Sequence, residues 1–179
     1  YALKGLSPQN FPRPVELRGK TAVIIGAGGI GLCVAERLSA FGMTVHTVAE
    51  DNFPLVSYVD QRFLSDQLLD AVPLADAVIV AAPWTAKSEE MLGKQALLAM
   101  KKEAFLVNVA RGGLISTEDL AEVIENGHLK AVALDVTNPE PLPEDHRLRQ
   151  RENIVLTPNL AGISDNLSER IFDLITTNI

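Results

Sequence analysis

With 179 residues, 47% hydrophobic and 22% charged, the chain has the length and balance of one globular domain, able to bury roughly two-thirds of its unfolded surface without staples. A formal charge of -7 excludes partners that require clustered Lys and Arg, nucleic acid above all, and no apolar run nears the roughly eighteen residues of a membrane span. The one cysteine, Cys33, closes no internal disulfide, so a reducing, cytoplasmic setting is the expectation.

Residues 1–16 start on Tyr1 rather than Met and form an irregular lead-in broken by Pro8, Pro12 and Pro14, without a secretory pattern. Residues 17–179 read as one domain, and the last periodic segment, Asp165 to Ile179, ends on an apolar residue with no Gly or Pro stop. A piece of a longer protein is therefore expected. Within the domain, short β-branched runs predict strands over Thr21–Ile25, Thr44–Val48, Ala77–Ala81, Ala104–Val109, Ala131–Val136 and Ile154–Leu156. Helical patterns fall between them. Ile30, Val34, Leu38 and Phe41 recur at three- and four-residue spacing, and Gly42 stands where a left-handed cap ends a helix. Further helices are predicted over Asp66–Val72 and over Lys94–Lys101, the latter turning Leu97, Leu98 and Met100 inward. Ser116 with Asp119 reads as a variant capping box opening a helix with Leu120, Val123 and Ile124 inside and Gly127 as its stop. Thr137–Pro143 holds three prolines and is a loop. Strands alternating with helices predict an α/β fold, a Rossmann-like doubly wound parallel sheet with helices on both faces.

The segment from Thr21 to Gly31 runs buried strand, tight turn, helix start. Gly26 permits the turn, Gly28 leaves no side chain between the backbone and a diphosphate, and Gly31 lets the Ile30 helix pack closely on the strand; Gly29 and Ile30 are counted with them as cofactor-binding residues. Amides at that helix start, with the helix dipole behind them, suit phosphate. The bland reading is a glycine-rich turn with no ligand, and the strand-to-helix context weighs against it. After the second strand, Glu50 and Asp51 are either acceptors for adenosine ribose hydroxyls or solvated turn acids. A carboxylate there favours NAD over NADP, and the nearest cations, Lys87 and Arg62, are not adjacent in sequence.

From Leu17 to Asn178 the chain resembles the nucleotide-binding domain of the D-isomer-specific 2-hydroxyacid dehydrogenases, a group containing D-lactate, D-glycerate, phosphoglycerate and formate dehydrogenases. The resemblance is carried by Leu17-Arg-Gly-Lys-Thr, the glycine turn, Leu38-Ser-Ala-Phe-Gly-Met, Asn108-Val-Ala-Arg-Gly-Gly-Leu-Ile, Ala133-Leu-Asp-Val, Pro139-Glu-Pro-Leu-Pro and Leu156-Thr-Pro-Asn-Leu-Ala-Gly. It implies a second, substrate-binding lobe built from chain on either side, a small 2-keto or 2-hydroxy acid substrate, and a homodimer paired through this domain. Arg111 matches the family arginine that binds the substrate carboxylate, a role its planar fork of donors suits; otherwise it is a surface arginine between turn residues. Asp135 matches the residue bonding the nicotinamide carboxamide, or else caps local amides. Glu140 matches the glutamate that orients the catalytic histidine, or else is solvent-exposed. Ala82, Pro83, Val109, Ala110 and Gly162 complete the cofactor contacts that the resemblance implies, with Asn159 counted in both the catalytic and the cofactor sets.

Two departures stand out. The family pattern ends Thr-Pro-His, whereas this chain has Thr157-Pro158-Asn159, and an amide has no proton to surrender near neutral pH. His46, His128 and His146 lack placed partners and read as structural or solvent-facing. Secondly, the family's ribose-binding aspartate aligns with Ala49, one place before Glu50, so NAD is preferred and NADP is not excluded. Two functions follow: a 2-hydroxyacid oxidoreductase anchored by Arg111, or a catalytically silent NAD(H)-binding sensor or assembly module. Asn159 favours the second; Arg111, Asp135 and Glu140 favour the first. Trp84 either lines the cleft or packs beneath it.

Overall fold

A computed structural model describes residues 14–50 and 56–177. Along the chain run β1 (Thr21–Ile25), α1 (Gly29–Ala40), β2 (Thr44–Ala49), β3 (Gln61–Leu64), α2 (Leu68–Ala71), β4 (Ala77–Val80), α3 (Lys94–Ala99), β5 (Phe105–Asn108), α4 (Thr117–Glu125), β6 (Ala131–Leu134), β7 (Ile154–Leu156) and α5 (Leu167–Thr177). Every strand pairs parallel to its neighbour in one seven-stranded sheet of order β3-β2-β1-β4-β5-β6-β7. The order reverses between β1 and β4, so the crevice above those two tips is the place where a doubly wound sheet takes ligands.

Alternate residues of the strands supply two cores. Val23, Ile25, Val48, Val78, Val80 and Leu106 face the larger one, closed by α3 and α4 through Leu97, Leu120 and Ile124. Ala22, Ile24, Val45 and Ile79 face the smaller one under α1. The six expected strands are all present, some shorter by one or two residues. The shortening leaves residues 81–84, 109–111 and 135–137 as loops at the carboxyl ends of the strands.

Four expectations are corrected. The edge strand β3 was missed, because of its four residues only Phe63 is buried and the run lacks β-branched side chains. The stripe assigned to α1 is displaced: Ile30 and Phe41 are exposed, and the face against the sheet is Gly31 and Ala35 flanked by Leu32, Val34 and Leu38. On α3, Leu98 faces out and Ala96 takes its place inside. Ser116 does precede α4, but its side chain makes no cap bond, and the Asp119 carboxylate instead accepts from the Lys94 amide at 2.9 Å, capping α3. The stops at Gly42 and Gly127 hold, both with positive φ.

Candidate functional site

The turn between β1 and α1 is drawn tight by what its glycines exclude. A Cβ on Gly31 would lie 1.8 Å from the Gly26 carbonyl oxygen, and one on Gly26, whose φ is +104°, would lie 2.6 Å from the Ala81 carbonyl oxygen. No residue with a side chain closes this turn. At Gly28 and Gly29, by contrast, an added Cβ meets nothing within 4 Å, so these glycines keep open space above the backbone rather than permit packing below it. The amides of Gly28, Gly29 and Ile30 donate to no acceptor among the described residues, while Gly26 N–H is spent on Val48 O at 2.8 Å. Free amides at the start of a 12-residue helix, beneath open space, fit a dinucleotide diphosphate.

Two cavities meet at this turn. One of about 390 Å³ runs from Gly26 and Gly28 past Ala49, Glu50, Ala82 and Pro83 to Lys87 and Ser88. β2 ends at Ala49, so Glu50 is the first residue beyond the strand and both line the cavity. Lys87, remote from Glu50 in sequence, lines the same cavity, whereas Arg62 pairs with Thr47 on the neighbouring strand and does not. Asp51 lies outside the described residues.

The second cavity, about 500 Å³, continues from Gly28, Gly29 and Ile30 over Ala82, Pro83 and Trp84 to Val109, Ala110 and Arg111. Here the loop is shaped by side chains. Asn108, at the end of β5 and buried, accepts from Ala110 N–H through Oδ1 at 3.0 Å and donates from Nδ2 to Arg111 O at 3.0 Å. Arg111 itself is exposed and donates from Nη1 to Ala110 O at 2.6 Å, leaving its other donors for a ligand. A Cβ on Gly112 would meet Thr137 O at 2.0 Å, so this loop presses directly on the one after β6.

After β6, Asp135 is buried and its carboxylate holds the following turn. It accepts from Thr157 Oγ1 at 2.5 Å, Leu160 N–H at 2.8 Å and Ala161 N–H at 2.8 Å, while Asp135 O accepts from Asn159 N–H at 2.8 Å. Burial alone would raise its pKa; these donors outweigh it and hold the carboxyl below the usual range. The turn they fix places Asn159 at a φ of +55°, with Nδ2 donating to Glu140 Oε1 at 3.1 Å. Asn159 and Glu140 are therefore partnered side chain to side chain. Asp135 and Glu140 line a third cavity, of about 470 Å³, with Thr157 and Arg149. Arg111 and Glu140 thus face different cavities, and Asn159 and Gly162 line neither.

The histidines are all engaged elsewhere. His46 is buried in β2 edge-on to Phe63, and burial lowers its pKa despite the Asp60 charge. His128 Nε2 meets Met100 O at 2.9 Å. His146 accepts from Leu148 N–H at Nδ1, so Nε2 carries the proton toward Glu118. Sequence reasoning passed over Asn108 as a brace of its own loop and Lys87 as a cavity residue; the second becomes visible only when loops distant in sequence are brought together.

A family model described as D-isomer specific 2-hydroxyacid dehydrogenase, NAD binding domain, matches residues 4–161. A glyoxylate reductase of Thermofilum pendens is 33% identical over 165 residues, covering 92% of this chain and 48% of the relative. The NAD-dependent formate dehydrogenase of Staphylococcus aureus, solved with NAD, shares 33% identity and a TM-score of 0.79 over 90% of this chain and 48% of that one. A D-isomer specific 2-hydroxyacid dehydrogenase of Xanthobacter autotrophicus, solved with NADPH and MES, shares 25% identity and a TM-score of 0.82 over 93% and 69%. The chain spans about half the length, or less, of the curated relatives it matches. Among the described residues no helix is long and apolar enough to cross a membrane, and no cluster of His, Cys, Asp or Glu is placed to hold a metal ion.

Proposed function

This chain belongs to the D-isomer specific 2-hydroxyacid dehydrogenases and carries their NAD binding domain, and on that premise we propose that it is the nucleotide lobe, over residues 17–179, of an oxidoreductase reducing a 2-keto acid or oxidising the matching 2-hydroxy acid. The observation that carries this reading is the cavity in which the free amides of Gly28 and Gly29 and the side chain of Arg111 meet. When bound, the nicotinamide supplies or accepts the hydride. The turn from Gly26 to Gly31 holds the diphosphate, Ala82, Pro83, Val109 and Ala110 wall its path, and Glu50 takes the adenosine ribose hydroxyls, which favours NAD; Lys87 across the same cavity leaves NADP open. Arg111 clamps the substrate carboxylate with its planar fork. Asp135 acts through the turn it braces, and Gly162 follows that turn with open space above it.

Asn159, held by Glu140, donates a hydrogen bond toward the substrate carbonyl oxygen and steadies the charge that develops there. It surrenders no proton, so the alkoxide takes one from solvent and the rate lacks the factor of roughly a hundred to ten thousand that a general acid supplies. Asn159 is also the observation that favours a second reading, a catalytically silent NAD(H)-binding module. The exposed apolar side chains of Ile163, Ile171 and Phe172 fit a lobe covered in a homodimer, and a cytoplasmic setting goes with the single exposed cysteine.

The complete protein is assayed for hydride transfer over a panel of 2-keto acids with both dinucleotides, beside an Asn159→His variant. The variant is expected to be at least about tenfold faster. Equal rates in the two proteins would reject Asn159 as the occupant of the proton donor's place. Saturable NADH binding in calorimetry with no turnover by either protein would establish the silent module, and absence of binding up to millimolar dinucleotide would overturn both readings.

A further inference from the structure

Trp84 lies four residues beyond the end of β4 and is 51% exposed, in a cavity whose other walls are Ile30, Val109 and Arg111. Its ring packs along one edge. A Cβ on Gly113 would come within 2.5 Å of Trp84 Cε2, 2.7 Å of Cζ2 and 2.8 Å of Nε1, so that edge of the indole rests on the Gly113 backbone and the remainder is turned outward. The indole N–H donates to nothing among the described residues. The backbone carrying Trp84 is braced as well: Ser88 Oγ donates to Pro83 O at 2.9 Å and accepts from Thr85 N–H at 2.9 Å, and Glu90 N–H reaches Gly113 O at 2.8 Å. Gly113 is two residues from Arg111. One stiff unit therefore joins a carboxylate-binding cation to a flat, preorganised apolar surface.

We propose that Trp84 is a specificity-determining residue, the wall against which the substrate's side chain packs once Arg111 has anchored its carboxylate, selecting 2-keto acids with a bulky apolar side chain over those with none. The inference rests on the reading of Arg111 given above. An indole surface left half bare beside a cation is covered at low entropic cost by an apolar group on an acid, because a Trp side chain has only two torsions to order on binding. A polar or absent side chain gains nothing from that face. Differences of this kind in an apolar pocket amount to about 10- to 200-fold.

The test compares kcat/KM for 4-methyl-2-oxopentanoate and for glyoxylate in the complete protein and in Trp84→Ala and Trp84→Phe variants. Glyoxylate has no side-chain carbon, so the ratio of the two cancels any loss common to both substrates. The ratio is expected to fall at least about tenfold in Trp84→Ala and to be largely restored in Trp84→Phe. An unchanged ratio overturns the proposal, as does a ratio that stays constant while the dinucleotide Kd rises, which would make Trp84 a cofactor contact. Should no keto acid be turned over, the catalytic reading fails separately, and the wall is judged by fluorescence. The emission lost in Trp84→Phe is titrated with 4-methyl-2-oxopentanoate at saturating NAD⁺. A saturable change absent in Arg111→Ala supports the wall, and no change rejects it.

Discussion

The two sides of the crevice above the sheet are built by opposite means. At the tip of β1 the site is made by leaving side chains out: Gly26 and Gly31 let backbone touch backbone, and Gly28 and Gly29 hold space open. Beyond β5 and β6 the site is made by putting side chains in: Asn108 ties down Ala110 and Arg111, and Asp135 ties down residues 157–161. The first kind of construction is local and written in spacing. The second depends on single side chains: Asn108 acts within its own loop, whereas Asp135 reaches residues 22 to 26 positions further on, so neither announces itself by a spacing motif.

Substitutions that separate packing from binding sharpen this contrast. Gly31→Ala forces a shift of the turn and is expected to cost about 3 kcal/mol in urea denaturation, at the upper end for overpacking; a loss under about 1 kcal/mol would show the turn to be pliable. Asn108→Ala leaves the Ala110 amide without a partner and takes one of two donors from the Arg111 carbonyl, and is expected to cost about 2 kcal/mol, with keto acid KM rising more than dinucleotide Kd. An equal rise in both would make Asn108 a general brace rather than one for Arg111. Gly28→Ala is expected to leave stability within about 0.5 kcal/mol, since nothing stands near the added Cβ, yet to weaken dinucleotide binding about tenfold, or 1.4 kcal/mol. Unaltered affinity would break the contrast at its root.

The smallest effect is on pH dependence. The folded pKa of Asp135 is depressed, so its stabilisation is fully present above the unfolded carboxylate value and is lost as pH falls through that value toward the folded one. Denaturation midpoints across that acid range should show a slope that Asp135→Asn reduces. An identical slope in the variant would place the acid sensitivity in other carboxylates, such as Asp76, whose pKa is lowered by the Thr21 amide and by Lys101 in spite of partial burial.

Legibility from sequence follows the same division. The glycine turn, the parallel character of the sheet and the stops at Gly42 and Gly127 were readable because strand, turn and helix are contiguous there. The helix stripe holds at Val34 and Leu38 but went astray at Ile30 and Phe41, because α1 lies so close to the sheet that Gly31 and Ala35 face inward. Asp119 looked like a cap for its own helix, yet it serves one that starts 25 residues earlier, which no local pattern records. Arg111 was singled out by resemblance, but the Asp135 brace on residues 157–161 and the Trp84 wall needed the loops to be in place.

The backbone at Asn159, with its φ of +55°, has a consequence of its own. Left-handed geometry admits few side chains comfortably, chiefly Gly, Asn, Asp and, less readily, His. Asparagine and histidine are both on that short roster, and their codons differ by one base. Passage between an amide and an imidazole at this corner therefore requires no redesign of the surrounding turn. On the reading proposed above for Asn159, a lineage carrying this scaffold would silence or revive proton transfer in a single mutational step, while the turn from Gly26 to Gly31 is left untouched.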